Sequence, residues 1–87
     1  MVMSDIEFDY PKASQSVVNA LREEFPHDTI ATTKGYKGRV HVKIVSETFN
    51  GMNGEDRQAF VYDLLRAKLG EESQPVTLVQ AWGTEDL

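Results

Sequence analysis

The chain has 87 residues, 40% of them apolar and 26% charged, the mix of one small globular domain with no room for a second domain or a lidded cofactor fold. Cysteine is absent, which excludes a disulfide framework, a thiolate nucleophile and thiolate ligation of an iron–sulfur cluster by this chain. The net charge of −5 argues against tight nonspecific binding of nucleic acid.

Residues 1–13 are acidic and interrupted by Tyr10-Pro11, and we expect a flexible leader there. They lack the basic-then-apolar order of a signal peptide, and no apolar run approaches the ~20 residues that span a bilayer, so a cytoplasmic chain with no membrane partner is expected. Ser14 or Ser16 can N-cap a helix whose Val17, Val18, Leu21 and Phe25 share one face, and Pro26 ends it. Asp28 to Thr33 is rich in threonine and suits a strand. Lys34-Gly35-Tyr36-Lys37-Gly38 follows as a hairpin loop, with two glycines free to take positive φ. Arg39 to Val45 alternates, with Val40, Val42 and Ile44 on one face and Arg39, His41 and Lys43 on the other, so one side of the sheet is covered and one is bare.

Ser46 can cap a short turn over Glu47 to Phe49. Asn53 is a good N-cap for a second long helix with Glu55 and Asp56 in its first turn, a buried stripe of Val61, Leu64 and Leu65 (joined by Phe60 and Leu69), and Gly70 at its end. Val76 to Ala81 reads as a last strand of ambiguous phase, since Val76 and Leu78 alternate on one face and Val79 and Ala81 on the other. Residues 83–87 form a tail, leaving a domain over 14–82. A hairpin makes the first two strands antiparallel, and a right-handed helical crossover makes the second and third parallel. The expected fold is an α+β two-layer sandwich, order α-β-β-(short α)-α-β, with a three-stranded mixed sheet and both helices on one face.

That order looks like the type II KH arrangement. Within it, the run Val42-Lys43-Ile44-Val45-Ser46-Glu47-Thr48-Phe49-Asn50-Gly51, then Arg57 and Val61-Tyr62-Asp63-Leu64-Leu65, resembles the BolA-like family over roughly residues 25–80. The resemblance implies a small non-enzymatic protein that works with monothiol glutaredoxins in iron–sulfur trafficking and, in some members, a stress-response regulator of transcription that binds DNA. It also implies a [2Fe-2S] cluster shared with the glutaredoxin. The family's last-strand histidine falls at or beside Thr77, its hairpin-loop histidine or cysteine on Tyr36 to Gly38, and the histidine after its helix arginine on Gln58, so this chain departs at each position. His41 is the remaining candidate ligand on that face; His27, at the end of the first helix, reads as a surface side chain.

Two binding surfaces suggest themselves. Gly51-Met52-Asn53-Gly54 is a GxxG where KH domains carry theirs, with free helix amides for a phosphate, although Glu55 and Asp56 repel one. Lys34, Lys37, Arg39 and Lys43 make a segment with no acid, and Tyr36 among them can stack a base. Arg57 belongs to this set by position, but reads more simply as a structural partner of an acid such as Glu47 or Asp63. The protein-binding surface would comprise Tyr36, His41, Thr77, Val79 and Trp82, with Val79, Ala81 and Trp82 as an exposed apolar strip. The preferred expectation is a monomeric adaptor for a monothiol glutaredoxin, and the alternative is a KH-like regulator of DNA or RNA.

Overall fold

A computed structural model describes residues 6–87, so the first five residues of the expected leader lie outside the described residues. Helix α1 spans Tyr10–Glu24, strand β1 Thr29–Lys34, strand β2 Val40–Val45, helix α2 Gly54–Leu69 and strand β3 Val76–Trp82. The sheet order is β1-β2-β3, with β1 and β2 antiparallel and β2 and β3 parallel. This is the α+β two-layer layout that the element order requires.

The first helix starts earlier than a cap at Ser14 or Ser16 allows. Asp9 is the N-cap, its carboxylate accepting the Lys12 amide at 3.3 Å, and Pro11 sits in the first turn. Proline belongs there because its missing N–H is one the helix leaves unpaired in any case. Residues 10–13 are therefore helical rather than leader. Phe8 is also held, its amide donating to the Lys37 carbonyl at 2.9 Å. The chain leaves α1 at Phe25 and Pro26, where Arg22 Nη1 donates to the carbonyls of Phe25 and Asp28 at 3.2 and 2.6 Å.

The core lies between the helices and one face of the sheet. Val17 and Leu21 from α1, Phe25 just beyond its end, Val61 and Leu65 from α2, and Val40, Val42 and Ile44 from β2 are all buried. Each such side chain contributes about 1.5–3 kcal/mol relative to an exposed one. Phe49, delivered by the Ser46-capped turn, stacks obliquely on Phe25 with ring centroids 5.7 Å apart, and the half-exposed Phe60 closes the trio edge-on at 5.8 Å. Asn53 caps α2 by accepting the Asp56 amide at 2.8 Å, and Gly70 ends it at φ +58°. Lys68 and Glu23 join the two helices in an ion pair at 2.8 Å.

The phase of β3 is settled by a bulge. Val40 is paired with Val76 but His41 with Leu78, so Thr77 is an extra residue with no opposite number. The extra residue keeps Val76 and Val79 on the same side, and both are buried. Leu78 is consequently turned outward and is 43% exposed. The expected strip of Val79, Ala81 and Trp82 is therefore corrected: Val79 belongs to the core, Ala81 is half-buried, and the exposed apolar side chains of β3 are Leu78 and Trp82.

Candidate functional site

The helices cover one face of the sheet, and the other is bare. Strand register lays out that bare face in rows. Thr33, His41 and Leu78 form one, Ala31, Lys43 and Gln80 the next, and Thr29, Val45 and Trp82 the last. A shallow hollow of about 150 Å³ runs across the first two rows. His41 is half-buried, and its ring lies against Gly35, where an added Cβ would come within 2.4 Å of Nε2. Gly35 thus serves close approach of the imidazole, not a positive φ. The left-handed residues of this loop are Lys37 at φ +54° and Gly38 at φ +79°.

The hairpin tip carries the basic and aromatic residues expected of it, but they engage one another. The Arg39 guanidinium lies 5.6 Å from the Phe8 ring centroid and 5.7 Å from that of Tyr36, and donates to the Tyr36 carbonyl at 3.0 Å. Lys37 Nζ stands over the Tyr36 ring as well, 5.6 Å from its centroid. Such cation–π contacts lower the freedom of the tip by holding its cations on aromatic faces. Tyr36 itself is 73% exposed. Lys34 ends β1 and Lys43 projects from the centre of the bare face, both exposed.

The Gly51-Met52-Asn53-Gly54 loop lies at the far end of the sheet. The hairpin precedes Val40 and the loop follows Val45, so β2, at roughly 3.3 Å per residue, holds them about 20 Å apart. The basic tip and the GxxG loop do not make one surface. Arg57 is committed as well. Its Nε donates to the Met52 carbonyl at 2.9 Å, and its Nη1 to the Ala81 carbonyl at 3.2 Å and the Asp86 carboxylate at 2.5 Å. The acid it meets is Asp86, not Glu47 or Asp63; Asp63 pairs with Arg66 one helical turn along.

Sequence reasoning missed what this end of the molecule does. The tail forms a turn over Thr84–Asp86 that is fastened to the loop: Asn50 donates to the Thr84 hydroxyl at 2.9 Å and accepts the Glu85 amide at 3.0 Å. Gly83 is buried against Asn50, where a Cβ would meet Oδ1 at 2.2 Å. The hydrogen bond from Arg57, helped by the Gly83 amide, holds the Asp86 carboxyl below its usual range. Burial raises the Tyr62 phenol on α2. Gln58 donates to the Val79 carbonyl at 2.5 Å. No sequence signal pairs Gln58 with β3, because that contact depends on how α2 lies along the sheet edge.

The register sets Leu78, not Thr77, opposite His41, and Thr77 is the unpaired residue of the bulge between Val40 and His41. The donors there do not fit a metal or cluster held by this chain. His41 is the one imidazole on the face, a threonine hydroxyl is a poor iron ligand, and among the described residues no group of three or more His, Cys, Asp or Glu side chains is arranged to hold a metal. Among the described residues, too, no helix is long and apolar enough to cross a membrane. No protein-family model, curated protein or solved structure matches the chain.

Proposed function

We propose that this chain is a non-enzymatic, BolA-like adaptor that binds a protein partner, a monothiol glutaredoxin, through the bare face of its sheet. The observation that carries the reading is the pair of exposed apolar side chains Leu78 and Trp82 on a sheet face that also holds the half-buried His41. A fully solvated face of an antiparallel or mixed sheet would alternate to polar residues, whereas large apolar groups left there favour burial against another surface. Tyr36, at the adjoining hairpin tip, extends this surface with an aromatic ring. Since the donor set does not fit a cluster, the adaptor's part is recognition and not ligation.

The nucleic-acid alternative is less well served by the geometry. Arg57 is consumed by two carbonyls and Asp86, Glu55 and Asp56 stand in the first turn of α2, and the basic tip is a strand length away.

Titration calorimetry with a purified monothiol glutaredoxin tests the proposal. A saturable complex is expected, weakened tenfold or more by Leu78→Asp and by Trp82→Ala. No heat of binding, or binding indifferent to both substitutions, would overturn it. Binding of a short oligonucleotide that Lys37→Glu with Lys43→Glu abolishes, in a protein that ignores glutaredoxin, would transfer the function to nucleic acid.

A further inference from the structure

The two outer strands of the sheet have different edges. On β3, α2 supplies side-chain donors to the outward carbonyls, Gln58 to Val79 and Arg57 to Ala81, and the Thr77 bulge interrupts the ladder. Bulges and covering groups of this kind stop a further strand from adding. The β1 edge has neither. The Gly35 amide donates to the Arg39 carbonyl at 2.7 Å, so by alternation Thr33, Ala31 and Thr29 exchange hydrogen bonds with β2. The N–H and C=O groups of Ile30, Thr32 and Lys34 then point away from the sheet, and among the described residues no backbone group outside it pairs with them. Ile30 packs on the core yet stays only partly buried, because the helical layer does not fully cover this side.

The segment Asp28-Thr29-Ile30-Ala31-Thr32-Thr33-Lys34 is complementary to itself when reversed. Turned antiparallel about Ala31, it sets Asp28 opposite Lys34 at each end, Thr29 opposite Thr33, and Ile30 opposite Thr32. The backbone parity agrees. In this register the outward-pointing residues Ile30 and Thr32 face each other and exchange N–H and C=O groups. Among the described residues, the side chains of Asp28 and Lys34 make no ion pair or hydrogen bond within the protomer. The Asp28 carbonyl is taken by Arg22, so the terminal pairs are made by side chains.

We propose that two copies of this chain associate through β1 in a twofold-symmetric dimer with one continuous sheet, centred on Ala31, in place of the monomer that the sequence alone led us to expect. A self-complementary patch is what a twofold interface demands. The bare faces of the two copies become neighbours, whichever partner they take.

Sedimentation equilibrium over micromolar to millimolar protein is the test, with amide exchange followed by NMR. A monomer–dimer equilibrium is expected. Lys34→Asp sets carboxylates against each other at both ends and should raise the dimer dissociation constant about tenfold. The double variant Asp28→Lys, Lys34→Asp should restore it. The amides of Ile30 and Thr32 should gain protection as concentration rises, whereas those of Ala31 and Thr33, already bonded to β2, should not change. A monomer at every concentration, or a dimer that ignores the charge reversal and leaves Ile30 and Thr32 exchanging freely, would overturn the proposal.

Discussion

Replacing Arg57 by alanine removes a side chain that ties the Gly51-to-Gly54 loop, the end of β3 and the C-terminal turn together. Its side chain is only 15% exposed, and two of its acceptors are backbone carbonyls, Met52 at 2.9 Å and Ala81 at 3.2 Å. Hydrogen bonds from a charged donor contribute about 1.5–3 kcal/mol each, and water can reach part of the vacated space, so we expect a net loss of about 2–3 kcal/mol. The Asp86 pair is left out of this figure because its carboxylate is open to solvent. For a domain of this size that loss lowers Tm by about 10–20 °C. Urea denaturation and calorimetry of the variant measure both quantities. Arg57→Lys should recover little, since an ammonium cannot reach carbonyls on two sides as a guanidinium fork does. A loss below about 0.5 kcal/mol would refute the structural role, and would return Arg57 to the pool of residues available for a ligand.

Asp86, with its folded pKa lowered chiefly by the Arg57 hydrogen bond, contributes stability that is fully present above its ordinary carboxyl pKa and is lost as pH falls through the folded value. The Tm difference between wild type and Asp86→Asn should therefore be flat above about pH 5 and vanish in acid; a gap that widened on acidification would contradict the pairing. Gly38→Ala should cost about 1–3 kcal/mol in chemical denaturation, because the position has φ +79° and a Cβ there would sit 2.0 Å from the Phe8 carbonyl oxygen. An unchanged midpoint would show that the segment at Phe8 is not held against the hairpin. Deleting Thr77 should be tolerated with less than about 1 kcal/mol lost, since removal of the bulge leaves Val76 and Val79 in the same inward phase. Loss of folding on that deletion would mean the bulge itself shapes the sheet.

Much of the architecture was legible because it rests on local, periodic signals. Val40, Val42 and Ile44 alternate with polar residues, Asn53 and Gly70 bracket a helix, and Ser46 caps the turn that delivers Phe49; each works within a few residues of chain. The start of α1 lies earlier than the Tyr10-Pro11 pair suggests for a local reason also, since a first helical turn accommodates proline.

What the sequence determined by itself was the α+β layer arrangement, the single covered sheet face and the absence of thiol chemistry. The tertiary structure decided the rest, because it depends on groups far apart in the chain. An unpaired Thr77 chooses between two equally plausible faces for β3, and a one-residue shift inverts every side chain after it. Arg57 finds Asp86 and not a nearer acid because the end of β3 returns the tail to the start of α2. The length of β2 separates the basic tip from the glycine loop, and Gln58 and Arg57 close one sheet edge while β1 is left open. Hydrogen bonds between distant segments follow from packing geometry, and periodicity along the chain carries no record of them.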